Sequence, residues 1–151
     1  MMKIDALTLD IINSMKKGRI RFKEIADKLS LAEGTVRSRV RKLEQSGILE
    51  ITGLVDPEKI PGQSVVYIGV KLKTIELVKK GAEISEVKGV IAVGVVTGRY
   101  DLILTVVLKK GFGLLEFYTE ELSRIDEIQS VEAFVVYKHY NIKTPCDECS
   151  I

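Results

Sequence analysis

Apolar residues recur at helical spacing through the first fifty positions of the chain and give way to short β-branched runs afterwards. Leu7, Ile11, Ile12 and Met15 mark a first helix that Asp5 can cap and that Lys17-Gly18 ends. A second helix runs from about Phe22 to Leu29, with Phe22, Ile25, Ala26 and Leu29 inward. Ser30-Leu31 then makes a turn, and a third helix continues to Gly47. In that third helix Val36, Val40 and Leu43 share one face, while Gly34, Ser38, Arg41 and Lys42 point the opposite way and Thr35 and Arg37 lie on the flanks. Two helices joined by a tight turn, the second rich in outward cations, predict a helix-turn-helix.

From Ile48 to Gly62 the pattern becomes that of a connector. Its start alternates enough for a short strand, and Asp56-Pro57 reads as a turn. Period-two alternation from Ser64 to Lys73, a helix from Ile75 to Val87, apolar runs at Val90–Val96 and Leu102–Leu108, a helix from Leu114 to Ile125 and a final strand from Val131 to Tyr140 complete the chain. That order is β-α-β-β-α-β, the ferredoxin-like arrangement. The expected fold class is therefore α+β. A winged-helix-like helix-turn-helix spans residues 1–50, a hinge strand and linker 51–63, a ferredoxin-like domain 64–141 and a tail 142–151.

This arrangement carries a packing problem. Both helices lie on one face of the four-stranded sheet, yet the runs at Val90–Val96 and Leu102–Leu108 are apolar at odd and even positions alike. The other face therefore needs a cover, and no stretch of the chain reads as a loop long enough to supply it. A homodimer is expected on that ground, with six buried side chains contributing roughly 10 kcal/mol before association costs.

Charge sharpens the first half of the picture. The 151 residues carry a net charge of +2, but residues 16–42 hold ten Lys/Arg (16, 17, 19, 21, 23, 28, 37, 39, 41, 42) against three acids (24, 27, 33), a local balance of +7. A basic patch on a chain of modest charge fits a nucleic-acid-binding module joined to something else; a solvated helical face is the plainer account. Arg39 lies nearer the apolar stripe than the outward face, so a structural ion pair with an acid such as Glu24 or Asp27 is as good a reading as a DNA contact.

Hydrophobic residues make up 46% of the chain, enough for a core, and no run reaches the roughly 18 apolar residues of a membrane span. The start, Met1-Met2-Lys3-Ile4-Asp5, leads directly into an amphipathic pattern, so the expected location is the cytoplasm. Cys146 and Cys149 form a lone C-x-x-C, two ligands where a closed zinc site needs four; neither metal nor cofactor is expected. His139, in the expected last strand, has no catalytic spacing around it, and no enzyme is called for.

Thr35-Val36-x-x-Arg39-Val40-x-x-Leu43-Glu44-x-x-Gly47-Ile48-Leu49, then Val55-Asp56-Pro57, then Thr97-Gly98-Arg99-Tyr100-Asp101 resemble, in order and separation, the Lrp/AsnC family of transcription regulators, the feast/famine proteins. The resemblance implies a sequence-specific regulator that binds double-stranded DNA through its N-terminal domain. It implies a C-terminal domain that dimerises through its sheets, assembly into tetramers or octamers, and an amino-acid effector bound between dimers near Gly98–Asp101. The DNA-contacting candidates are Arg21, Gly34, Thr35, Arg37, Ser38, Arg39, Arg41 and Lys42; the effector candidates are Thr97, Gly98, Arg99, Tyr100 and Asp101. The last five also read simply as a hairpin turn, with Asp101 bonding locally. Where the family places a capping serine at the start of each motif helix, this chain has Arg21 and Ala32. Two other readings stay open: the same architecture is used by sirohaem decarboxylases, which would employ His139 or Arg99 on a tetrapyrrole, and by amino-acid sensors that bind no DNA.

Overall fold

The computed structural model describes residues 4–16 and 18–145, so Cys146 and Cys149 lie outside the described residues. The chain divides into two compact units, Met1–Thr52 and Gly53–Ile151.

The first unit consists of α1 (Ala6–Ser14), α2 (Phe22–Leu29) and α3 (Glu33–Gln45). Asp5 begins α1 by accepting the Thr8 N–H at 2.8 Å. Between α2 and α3 the chain reverses at Ser30, whose φ of 55° is left-handed, and Leu31 N–H returns to Ala26 O at 2.8 Å. Ile11, Ile25, Ala26, Val36 and Val40 form one buried cluster, joined by half-buried Phe22 and Leu29; Leu43 is also fully buried. The periodicity of the sequence thus chose the inward faces of all three helices.

The second unit runs β1 (Leu54–Val55), a 3-10 turn (Pro57–Lys59), β2 (Ser64–Leu72), α4 (Leu77–Ser85), β3 (Val90–Val95), β4 (Leu102–Leu108), a helical stretch beginning with α5 (Leu114–Glu116), β5 (Ile128–Val135) and β6 (Thr144–Pro145). The main sheet has the order β3-β4-β2-β5 with every neighbour antiparallel, which is the ferredoxin-like topology. Val66, Ile68, Val70 and Leu72 of β2 and Leu102, Leu104, Val106 and Leu108 of β4 bury one face against Ile84, Phe112, Phe117 and Leu122. A core of this size places the unit's stability on that face.

Several boundaries differ from expectation. The start of the connector forms no strand, because residues 48–53 have no ladder partner; pairing begins only where Leu54 and Val55 meet Pro145 and Thr144. Asp56 does start a turn, accepting Glu58 N–H at 3.2 Å. The last long strand is Ile128–Val135 rather than Val131–Tyr140, because its ladder with β2 runs from Leu72↔Ile128 to Val66↔Val135 and β2 begins two residues beyond. His139 is therefore not in a strand. The expected helix from Leu114 to Ile125 passes from α5 into a π turn (Phe117–Glu121) and a 3-10 turn (Leu122–Arg124). Thr119 and Ser123 hydroxyls donate back to Leu115 O and Thr119 O, a contact that bends helices.

The open face of the sheet is also less bare than the apolar runs suggest. The 3-10 turn packs on β2, Val65 is 3% exposed, and the His139 ring lies 5.8 Å from that of Tyr67. The connector and the segment that follows β5 cover this end of the face, contrary to the expectation that no segment was available. The register rows Tyr67–Thr105–Phe134 and Gly69–Ile103–Glu132 continue the face beyond them.

Candidate nucleic-acid interface and ligand turn

In the first unit, α3 sets its cations into two groups. Gly34, Thr35, Arg37, Ser38, Arg41 and Lys42 are exposed, and Arg39 is half-buried. Arg39 Nη1 donates to both oxygens of Asp5, at 2.7 and 2.8 Å, and to Thr8 Oγ1 at 2.8 Å. The ion pair weighed for Arg39 exists, but its partner is Asp5 at the start of α1 and not Glu24 or Asp27, which sit on α2. This contact, with that of the Thr8 hydroxyl and amide, holds the Asp5 carboxyl well below the usual carboxylate range.

Arg37 pairs with Glu33 at 2.6 Å and lies over the Phe22 ring, with 5.5 Å from Cζ to the centroid. Arg41 and Lys42 have no side-chain hydrogen bond or ion pair among the described residues. Arg21 stands at the N-cap of α2 without a capping bond and faces Glu24 only loosely, at 3.6 Å. Ala32 likewise caps α3 with no side-chain bond. Glu24 and Glu33 in the first turns supply the negative charge that each helix start favours.

In the second unit the β3–β4 turn folds onto its own sheet. Gly98 has φ of 130°, a region open to glycine. The Tyr100 ring lies directly over Gly69, where an added Cβ would come within 2.6 Å of it, so Gly69 is required for this approach. Tyr100 Oη donates to Glu132, Arg99 Nη2 lies 2.9 Å from the same carboxylate, and the Arg99 guanidinium is 5.4 Å from the Tyr100 ring centre. The bond to Glu132, and then burial, push the Tyr100 hydroxyl up from its ordinary value. Phe134 meets Tyr100 edge-on at 5.8 Å.

Asp101 accepts Leu72 N–H and Lys71 Nζ, both at 2.8 Å. The β2–β4 ladder ends at Val70↔Leu102, so this carboxylate takes the next free strand N–H. These bonds, the backbone one foremost, lower the Asp101 carboxyl. Gly69, Lys71, Glu132 and Phe134 were not among the sequence candidates. They lie far from the turn in the chain, and only the register brings them to it. Beside the turn, Val95 joins Ile75, Leu77, Val78 and Ala82 in lining an open apolar groove.

His139 sits 3.7 Å from Glu58, with its side chain 10% exposed. Glu58 also accepts His139 N–H at 2.7 Å and the Lys138 ammonium, while Asp56 takes Lys143 at 3.3 Å. These contacts tie the segment that follows β5 to the connector. Among the described residues no group of three or more His, Cys, Asp or Glu could hold a metal ion, and no helix is long and apolar enough to cross a membrane.

A cationic helix-turn-helix followed by a ferredoxin-like domain with a built turn defines a DNA-binding protein with a regulatory domain. Residues 4–50 match the family model of a winged helix-turn-helix DNA-binding domain, and residues 65–145 match that of the Lrp/AsnC ligand binding domain. The chain belongs to the Lrp/AsnC family of transcription regulators. An uncharacterized HTH-type transcriptional regulator of Pyrococcus furiosus is 34% identical over 79% of this chain and 81% of its own length. The structure of AsnC from E. coli superposes with a TM-score of 0.69 at 24% identity, covering 95% of this chain and 98% of that one. A Neisseria meningitidis transcriptional regulator, solved as an L-Met complex, gives 0.68 at 20% identity over 96% and 97% of the two chains.

Proposed function

We propose that this protein is a homodimeric or larger DNA-binding regulator whose output is set by a small molecule such as an amino acid, working in the cytoplasm without catalytic activity of its own. Residues 1–50 bind DNA, 51–63 form the hinge and linker, 64–141 dimerise and sense the effector, and 142–151 form the tail. The observation that carries the reading is the split of cations on α3: Arg39 is turned inward onto Asp5, whereas Arg41 and Lys42 stand exposed without partners among the described residues. Gly34, Thr35, Arg37 and Ser38 share the outward surface and approach base edges, and Arg21 approaches a phosphate beside α2. A dimer offers two such helices to successive major-groove faces of a pseudo-palindromic site.

The half-buried Ile103 and Val107 and the exposed Phe134 on the open face support pairing of two sheets. Thr97 and Gly98 offer exposed backbone to an effector, with Arg99 and Tyr100 beside them; Asp101 contributes by holding the turn. The L-Met complex of the Neisseria relative supports this class of ligand. An effector acts by favouring one arrangement of the assembly over another.

The test is selection of bound genomic fragments by the purified protein, with and without each of the twenty amino acids, together with its sedimentation. A selected pseudo-palindrome, a dimer or larger species, and a change on adding one amino acid support the reading. A monomer that retains no fragment overturns it.

A further inference from the structure

Arg37 differs from the other outward cations of α3 in being held at two points. Its Nη2 donates to Glu33 Oε1 one turn earlier at 2.6 Å, and its guanidinium lies 5.5 Å over the ring of Phe22, the first residue of α2. One contact comes from each helix of the motif, so the plane of the guanidinium is fixed relative to both. The side chain nevertheless remains 64% exposed, leaving N–H donors directed to solvent.

Such an arrangement suits base reading better than phosphate anchoring. The Glu33 carboxylate offsets the charge of Arg37 and repels phosphate, which removes much of its worth as a point cation. What survives is a pre-oriented planar fork, and an ordered fork loses less rotamer freedom on docking than a free one. Arg37 also lies in the N-terminal half of α3, the part of a recognition helix that meets base edges. Arg41 and Lys42 show the opposite properties, with no acid partner and no fixing contact among the described residues, as phosphate contacts do.

From this geometry we infer that Arg37 reads a base, that Glu33 is the positioning residue that aims it, and that Arg41 and Lys42 anchor phosphates. The inference rests on the outward face of α3 being the DNA-reading surface.

A double-mutant cycle on the full chain tests it, using a randomised duplex pool to define the preferred site and binding at several salt concentrations to define the slope. Arg37→Ala flattens preference at one base pair per half-site, with a loss of about fivefold to a hundredfold in discrimination, the span of one good bidentate contact. Glu33→Ala flattens the same position, and adding it to Arg37→Ala causes no further loss. Glu33→Gln, which keeps a carbonyl acceptor, retains part of the preference. The inference is overturned if Glu33→Ala changes no position, changes a different one, or tightens binding to all sequences alike with a steeper salt slope. If the unaltered chain selects no sequence, the DNA-reading assignment fails along with it.

Discussion

Asp5 and Arg39 are joined across 34 positions by two hydrogen bonds of 2.7 and 2.8 Å. The same carboxylate accepts the Thr8 amide at the start of α1, so one side chain both begins the first helix and fastens it to the third. The pair orients α3 without touching its outward surface. Arg39→Ala is expected to lower the melting temperature of the first unit by roughly 5 °C, the scale of a lost cap in a small domain. Salt dependence of DNA binding, measured at a temperature where the variant is folded, stays as in the parent. A slope reduced by about one, with melting unchanged, would reassign Arg39 to a phosphate.

Acid tests the same contact. The folded-state Asp5 carboxyl is depressed, so on acidification the unfolded chain takes up its proton first. Its stabilisation is complete above the ordinary carboxylate value near pH 4 and is lost as pH falls through the depressed folded value. Asp101 and Glu58 are lowered too and act in the same direction in the second unit. Melting followed from pH 6 to pH 2 is expected to show a steady fall, flatter for the first unit in Asp5→Asn.

Gly69→Ala places a methyl group into the Tyr100 ring. The expected cost is about 1–3 kcal/mol of stability, as in an overpacked core, with Tyr100 displaced from Glu132. Pairing the change with Tyr100→Ala removes the clash and should recover most of that loss in a denaturant titration.

Arg41→Ala and Lys42→Ala are expected to weaken binding to every sequence alike. Each should reduce the slope of log affinity against log salt by about one. A loss confined to one base position would make either residue a reader instead.

The connector is held through Glu58. Glu58→Gln weakens its hold on Lys138 and on the His139 amide, and hydrogen exchange at residues 54–60 and 137–145 should speed up together. Faster exchange at 137–145 alone would show that the connector is held by other means.

The helices of the first unit were legible because their inward residues follow a strong local period: Ile25, Val36, Val40 and Leu43 are buried where the spacing puts them. The strand at Leu102–Leu108 was legible differently, as an unbroken apolar run, which the structure resolves into alternating buried and half-buried positions. What escaped depends on partners distant in the chain. The place where β5 stops is set by where β2 starts, and no residue near Tyr140 signals it. Asp5 meets Arg39, and Glu132 meets Tyr100, through packing and register, while the sequence shows each carboxylate only beside its neighbours. Gly69 resembles any glycine in a strand until the Tyr100 ring is seen above it.

Leu54 and Val55 have their ladder partners at Thr144 and Pro145, so the segment that opens the second unit is stitched to the segment that closes its described part. In mechanical terms the unit is a ring with a two-rung seam. Tension arriving along the connector from the DNA-binding unit meets that seam and the Glu58 contacts before it reaches the four-stranded sheet. The shortest ladder between the described strands therefore stands where the chain enters the second unit.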